Sequence, residues 1–249
     1  MDHASLFMIE IWLELRGLVN LGRALHLPVQ QVDLSYITHC ALRELFGDKA
    51  PGPFSVENTS GRHIRILAYS SVAQEELKAG AQAFASPMIY DIADWERFRS
   101  KPMPTLFPRA TRLGFELRAC PVVRKSSDGQ YHRAGAEVDA FLSRVWEIND
   151  PNAEVDREKV YRDWLSDQFD RLGGAVAHTV RLERFSLDRI FRRDHQASRH
   201  VKTIKRPSAT LAGELEVLDS GRFTDLLRRG IGRHRAFGFG MLKIRRPGG

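Results

Sequence analysis

The stretch that decides how this chain folds is Ser5-Leu-Phe-Met-Ile-Glu-Ile-Trp-Leu-Glu-Leu15. Acidic residues stand inside its apolar run and no basic segment precedes it, so it does not have the pattern of a signal peptide. The run is also well short of the roughly 20 apolar residues that a membrane-spanning helix needs. We therefore predict a buried β-strand over residues 5–15.

The segments after this strand predict one complete α/β unit. Asp33 is a suitable N-terminal cap for a helix that runs to about Phe46, after an irregular connector over 16–32. The elements predicted next are a turn at Pro51-Gly-Pro53, strands over Ser55–Asn58 and Arg62–Tyr69, a helix over 71–84 and a closing strand over 86–92. The order strand, helix, strand, strand, helix, strand is that of a ferredoxin-like, or RRM-like, βαββαβ domain.

A second cycle of the same kind follows a linker that is rich in proline. The linker covers 96–110 and contains Pro102, Pro104 and Pro108. The elements predicted after it are a strand over Arg112–Cys120, helices over 136–146 and 157–172, strands near 177–189, 199–205 and 209–218, a helix over Asp219–Arg229 and a strand over Phe239–Ile244. The prediction is an α+β protein with two tandem ferredoxin-like βαββαβ domains, at 1–95 and 111–249.

Positive charge is concentrated in the last third of the chain. The whole sequence has a net charge of +7, but residues 181–249 hold 17 Lys and Arg against 7 Asp and Glu, whereas the first 180 residues hold 21 against 24. A focused positive surface favours an acidic partner such as nucleic acid.

The cysteines do not indicate a metal site. Cys40 and Cys120 are the only cysteines, neither belongs to a CxxC motif, and no Cys/His cluster has the spacing of a zinc site. This pattern excludes a disulfide framework and is typical of a reducing compartment. We expect a cytoplasmic protein that uses neither a metal nor another cofactor.

The most basic stretch of the chain is Arg228-Arg-Gly-Ile-Gly-Arg-His-Arg-Ala-Phe-Gly-Phe-Gly-Met-Leu-Lys-Ile-Arg-Arg246, which contains four glycines. Glycine lets another molecule approach the main chain closely, and the N–H groups of such a loop can bind an anion. The flanking arginines suit phosphate. The stretch therefore predicts a loop that binds a nucleic-acid backbone.

Three motifs carry a resemblance to a known family. They are Gly230-Ile-Gly-Arg-His-Arg-Ala-Phe-Gly-Phe-Gly-Met-Leu242, Leu113-Gly-Phe-Glu-Leu-Arg-Ala-Cys-Pro121 and Tyr36-Ile-Thr-His39. Together they resemble the CRISPR-associated endoribonucleases that process repeat RNA, in particular the subunit of the type I-E Cascade complex. Arg235 takes the basic position of the family's glycine pattern. The connector 16–32 is longer than the family's and carries His26, which is an alternative to His39 as the catalytic histidine.

The resemblance implies a function and a set of partners. It implies metal-independent cleavage of CRISPR repeat RNA beside a stem-loop, and retention of the mature crRNA. It also implies assembly with other Cascade subunits, with no membrane attachment and no contact with DNA by the subunit alone.

The helix predicted to end at Phe46 has one polar face that suits this chemistry. At about 100° per residue, Ile37 and Ala41 face the core, whereas Tyr36, His39 and Arg43 lie on the opposite side. RNA supplies its own nucleophile, the 2′-hydroxyl, so cleavage needs an acid–base group and positive charge at the phosphate. We assign the acid–base role to His39, an orienting role to Tyr36 and charge stabilisation to Arg43.

The residues predicted to contact RNA lie in and after the second domain's first strand, in a basic hairpin and in the glycine-rich loop. They are Arg118, Arg124, Lys125, Arg133, Arg192, Arg193, Arg199, Lys202, Lys205, Arg206, Arg233, Arg235, Gly238 and Gly240. Since side chains read an A-form duplex poorly, these contacts should be mostly to phosphates. Two alternatives stay open: a non-catalytic RNA-binding subunit of a CRISPR effector, and a general RNA-binding protein of the same fold.

Overall fold

The computed structural model of the protein describes residues 5–27, 34–150, 152–193 and 201–248. Within these ranges, none of the helices combines the length and the apolar character needed to cross a membrane. The predicted helix cap Asp33 lies outside the described residues. Two antiparallel four-stranded sheets, each packed against helices, make up most of the molecule.

The first sheet has the strand order of a ferredoxin-like domain. Its half of the chain consists of strand β1 (Phe7–Glu14), helices α1 (Leu15–Ala24) and α2 (Leu34–Phe46), strands β2 (Phe54–Ser60) and β3 (His63–Ser70), helices α3 (Gln74–Phe84) and α4 (Pro87–Tyr90), and strand β4 (Arg99–Pro102). The strands lie in the order β2-β3-β1-β4, and each neighbouring pair is antiparallel. Alternate residues of β1, namely Ile9, Ile11 and Leu13, are fully buried and form the centre of this core.

Two elements of this half differ from the prediction. The segment 16–32 is not irregular throughout, because it contains α1, whose Leu18 and Leu21 recur at helical spacing and are buried. The strand predicted over 86–92 is wrong: the short helix α4 begins there at Pro87, since proline's missing N–H costs nothing at a first helical position. The fourth strand is β4, which lies inside the segment predicted as a linker and pairs with β1.

The second sheet repeats the same arrangement. Its half consists of strands β5 (Arg112–Ala119), β6 (Val122–Arg124) and β7 (Glu137–Asp139), helices α5 (Ala140–Ile148) and α6 (Arg157–Leu172), strands β8 (Ala175–Arg193) and β9 (Val201–Val217), helix α7 (Ser220–Arg229) and strand β10 (Leu242–Arg245). The order β10-β5-β9-β8 is the same permutation as in the first sheet, while β6 and β7 form a separate two-stranded ribbon. The predicted α+β fold with two tandem ferredoxin-like units is confirmed.

Strands β8 and β9 form one long hairpin rather than three short strands. Their register continues through the pair Leu187↔Pro207, where the prediction placed a break. Strand β5 pairs with β9 only from Ala209 onward, so among the described residues no strand pairs with that edge of β9 at Pro207. Proline is tolerated at such an edge because a ladder hydrogen bond is not required there.

The two halves pack against each other through a face of the first sheet. Leu6 and Tyr69 are buried in the core of the second half. The Tyr69 hydroxyl donates to the carbonyl oxygen of Leu242 at 2.8 Å, and the Lys243 ammonium lies 3.0 Å from the Glu57 carboxylate. This packing brings α2 of the first half next to the glycine-rich loop of the second half.

Candidate active site and nucleic-acid interface

Helix α2 carries the three predicted catalytic residues on the side that faces away from its core. Ile37 and Ala41 are buried beneath it, whereas Tyr36 and His39 are partly buried and Arg43 is exposed. The prediction of which side faces the core is therefore confirmed. Tyr36 packs against the edge of the first core and also against Phe237 of the second half.

His39 lines a cavity that is shared by the two halves. The cavity has a volume of about 300 Å³, and its first wall is formed by α2 and residues 50–54. Arg228, Arg229 and Arg235 line it from the other half. Three arginines of the basic tail therefore share a cavity with one imidazole. His26 is exposed at the end of α1 and is not among the described residues that line this cavity.

Burial and positive charge together lower the pKa of His39 below its ordinary value. Burial is the larger cause, and the neighbouring Arg43 guanidinium adds to it. Arg43 itself forms an ion pair with Asp48 at 3.1 Å on the surface. The His39 imidazole is therefore mostly neutral at neutral pH, which is the form that accepts a proton.

Aromatic rings connect α2 to the glycine-rich loop. The Tyr36 ring stacks on the Phe237 ring with 5.1 Å between centroids and 19° between planes. The same Tyr36 ring lies 6.3 Å from the His39 ring. The position of these two residues of α2 consequently depends on where the loop packs.

The glycines of this loop allow close packing within the protein. Gly238 and Gly240 have positive φ angles of 71° and 89°. The Gly238 N–H donates to the carbonyl of Arg235, and the Gly240 N–H donates to the carbonyl of Arg118. A Cβ at Gly240 would lie 2.5 Å from the carbonyl oxygen of Ile231. Both amides are therefore used inside the protein, which corrects the expectation that they form a phosphate cradle.

The Glu137 carboxylate contacts two arginines of the predicted RNA-binding surface and a histidine beside them. Glu137 contacts Arg233 at 2.8 Å, His234 at 2.9 Å and Arg206 at 3.4 Å. Burial alone would raise the pKa of Glu137, but these three neighbours hold it below its ordinary value. The cluster lies in a second cavity of about 950 Å³, to which Arg124 and Arg235 also contribute. We call these residues the Glu137 cluster, meaning Glu137, Arg206, Arg233 and His234.

The other predicted RNA contacts lie in different surroundings. Arg124, Arg133 and Lys205 are exposed, whereas Lys125 forms an ion pair with Glu147 at 3.0 Å. Three further predicted contacts are paired residues of the β8–β9 hairpin: Arg192 pairs with Lys202, and Arg193 pairs with Val201. Arg199 lies outside the described residues.

Arg118 does not point outward from β5. It lines a cleft of about 670 Å³ between the two sheets. Its guanidinium donates to Asp188 at 2.7 Å and to Ser208 at 3.2 Å. The sequence predicted this residue as an RNA contact, and the structure places it among protein acceptors.

Comparison with known proteins agrees with this architecture. The sequence matches the family described as CRISPR associated protein over residues 7–246. The chain belongs to this family. No curated protein sequence matches it significantly.

Solved structures of related proteins share the fold of this CRISPR-associated protein. The CRISPR endoribonuclease Cse3 bound to a 19 nt RNA superimposes with a TM-score of 0.64 at 19% identity, covering 98% of this chain and 100% of that one. Cas6e from Escherichia coli K-12 gives 0.54 at 19% identity, covering 96% and 99%. A chain of a CRISPR RNA-guided surveillance complex gives 0.55 at 15% identity, covering 96% and 99%. At these identities the similarity establishes the fold.

Two features of the site in this CRISPR-associated protein were not predicted from the sequence. Arg228 and Arg229 were not assigned as site residues, although the basic last turn of a helix before a glycine-rich loop was a usable signal. Glu137 was not singled out, since an acidic residue carries no signal in the sequence until its spatial neighbours are known.

Proposed function

We propose that this protein is a metal-independent endoribonuclease that cleaves CRISPR repeat transcripts next to a stem-loop. The products are a 2′,3′-cyclic phosphate and a 5′-hydroxyl, and the protein retains the mature crRNA. The observation that supports this most directly is the cavity in which His39 meets three arginines of the basic tail. Membership of the CRISPR-associated family and the shared fold with RNA-bound Cse3 agree with this substrate.

The cavity contains an imidazole and guanidinium groups that this chemistry can use. A neutral His39 imidazole accepts the proton of the ribose 2′-hydroxyl, and the 2′-oxygen attacks the adjacent phosphorus. The bond from phosphorus to the 5′-oxygen then breaks, and the leaving oxygen takes up a proton from solvent or from the protonated imidazole. Arg228, Arg229 and Arg235 are placed to stabilise the negative charge that develops at phosphorus. Tyr36 is assigned an orienting role, and its ring is held by stacking against Phe237.

Binding of the stem is assigned to the basic surface of the second half. The exposed residues Arg124, Arg133 and Lys205, together with Arg192, Arg193 and Lys202 of the hairpin, supply cations that suit phosphates of an A-form helix. The fold shared with a chain of a CRISPR surveillance complex supports assembly with other Cascade subunits. We place the protein in the cytoplasm, where that substrate and those partners would be found, and we expect no contact with DNA by this subunit alone.

Replacement of His39 tests the catalytic assignment. Labelled repeat hairpin is incubated with wild type, His39→Ala or His26→Ala in EDTA. We expect His39→Ala to lower the single-turnover rate by about 10²–10⁴-fold, the range for a general acid or base, with binding of the RNA nearly unchanged. His26→Ala should cut normally. If wild type binds the hairpin without cutting it, the protein is instead a non-catalytic RNA-binding subunit. If His26→Ala alone is inactive, the catalytic histidine is wrongly assigned.

Replacement of hairpin arginines tests the binding surface. Arg192→Ala combined with Arg193→Ala should weaken binding and flatten its salt dependence by about 0.7–0.9 for each lost phosphate contact. A random-sequence RNA duplex serves as competitor, because equal competition would indicate a general RNA-binding protein. An unchanged salt slope would remove the hairpin from the interface.

A further inference from the structure

Arg118 lies where both sheets, α2 and the glycine-rich loop meet. Its side chain is only 25% exposed. Nη2 donates to Asp188 Oδ2 on β8 at 2.7 Å, and Nε donates to Ser208 Oγ on β9 at 3.2 Å. Two donors directed at acceptors on neighbouring strands fix the plane of the guanidinium, which a single ammonium group could not reproduce.

The remaining contacts of Arg118 are with α2 and the loop. Nη1 donates to Ser35 Oγ at 3.3 Å and to the carbonyl oxygen of Phe237 at 3.4 Å. The guanidinium carbon lies 4.3 Å from the centre of the Phe239 ring, and the carbonyl of Arg118 accepts the N–H of Gly240 at 2.8 Å. Three residues of the loop, Phe237, Phe239 and Gly240, therefore contact Arg118. Each of the three guanidinium nitrogens donates to a protein acceptor.

The fit between the loop, Arg118 and α2 is close. A Cβ added at Gly238 would lie 3.2 Å from Ser35 Cβ and 3.4 Å from Arg118 Nη1. One residue earlier, Phe237 stacks on Tyr36, whose ring lies 6.3 Å from that of His39. A continuous series of contacts consequently joins the Arg118 guanidinium to the proposed catalytic pair.

We propose that Arg118 is a positioning residue, which holds the loop and α2 so that His39 stands against the arginine-lined cavity, and is not a ligand of an RNA phosphate. This inference rests on the proposed function. To reach a phosphate, the guanidinium would have to give up Asp188. Although burial raises the pKa of Asp188, its hydrogen bonds, chiefly from Arg118, hold it below the ordinary value, so this partner stays ionised.

Conservative and non-conservative replacements separate the two roles. Arg118→Lys keeps the positive charge but loses the planar guanidinium with its several donors, whereas Arg118→Met loses both the charge and the donors. Arg184 lines the same cleft and is exposed, so Arg184→Met is the matched control. The measurements are the single-turnover cleavage rate at saturating protein, and the Kd and salt slope for a repeat RNA with a 2′-deoxy nucleotide at the cut.

For a positioning residue, both Arg118 variants should lose about 10²-fold in cleavage rate, the size of effect expected when reacting groups are misplaced by about 1 Å. Their Kd should stay within about twofold of wild type and their salt slope should not change, since no phosphate contact is lost. Arg184→Met should cut at nearly the wild-type rate. The proposal is overturned if Arg118→Lys cuts normally while Arg118→Met binds more weakly with a slope lower by about 0.7–0.9.

Two further measurements test the positioning role of Arg118 independently of the Arg118 cleavage rates. Ser35→Ala removes the hydrogen bond from Arg118 to α2 and leaves the Asp188 pair in place, so it should lower the cleavage rate by a smaller factor.

The NMR titration of His39 should move toward a higher pKa in folded Arg118→Lys, because a displaced loop exposes the imidazole. If wild type does not cut RNA, the proposed function fails, and the titration alone decides the role of Arg118. An unchanged titration in the folded variant would refute it.

Discussion

Replacing Glu137 by a neutral residue should free the Arg206 and Arg233 side chains to bind RNA. In the free protein this carboxylate is 19% exposed and holds the guanidinium groups of Arg206 and Arg233 and the imidazole of His234. A phosphate of bound RNA would compete with the carboxylate for the same donors. Glu137→Gln keeps the shape and an oxygen acceptor while removing the negative charge, so the two arginines become available to RNA.

The size of the effect follows from the two contacts. Each additional phosphate contact steepens the dependence of log K on log salt by about 0.7–0.9, so two contacts steepen it by about 1.4–1.8. Between 50 and 200 mM salt, this corresponds to an additional loss of affinity of about tenfold. Glu137→Gln should therefore bind random RNA duplex more tightly than wild type at low salt and lose that advantage as salt rises.

Fluorescence anisotropy with repeat hairpin and random duplex, over a series of salt concentrations, measures both slopes. The matched control is Glu216→Gln, because Glu216 also pairs with a histidine and an arginine: His178 lies at 3.0 Å and Arg112 at 3.8 Å. Glu216 lies near the Val217 end of β9, away from Arg192 and Arg193. This control should leave the slope unchanged. Weaker binding by folded Glu137→Gln, or a wild-type slope, would show that the carboxylate only supports the loop.

Two other perturbations concern His39 and the packing of the glycine-rich loop. Burial and, to a smaller extent, the Arg43 charge lower the pKa of His39. The wild-type cleavage rate should therefore rise with pH around a midpoint below the ordinary histidine pKa, and Arg43→Gln should move that rise to higher pH; a rate that falls with pH over this range would show that His39 acts as an acid. Gly238→Ala and Gly47→Ala both place alanine at positive φ, which costs roughly 1–2 kcal/mol. Only Gly238 also meets side-chain atoms at 3.2 Å, whereas Gly47 has nothing within 4 Å. Thermal melting should therefore show a larger loss for Gly238→Ala, with a fall in cleavage rate that Gly47→Ala lacks; equal losses would contradict the close fit.

Local patterns in the sequence predicted most of the fold. Helices α6 and α7 lie where they were predicted, over 157–172 and 219–229, and the structure adds that the Asp156 and Asp219 side chains accept hydrogen bonds at their starts. Strand β4 could not be found in this way. Its residues Arg99-Ser-Lys-Pro102 are polar, and they are extended because β1 offers hydrogen bonds at the sheet edge. The helical state of α1 was missed although Leu18 and Leu21 have the right spacing.

The candidate site was predicted in part. The helical period placed Tyr36 and His39 on one face, and the basic tail was recognised as a separate feature. The sequence did not show that Arg118 is enclosed by acceptors from three other segments, since Ser35, Asp188 and Ser208 are distant from it along the chain.

By itself, the sequence determined most elements of the two βαββαβ units and the outward face of α2, because periodic burial acts within a single element and can be read from neighbouring residues. Tertiary structure alone decided that His39 shares a cavity with Arg228, Arg229 and Arg235. It also decided which cations Glu137 holds. The distances between such groups depend on how the two halves pack, and that packing is set by side chains such as Tyr69, which lie far along the chain from the site.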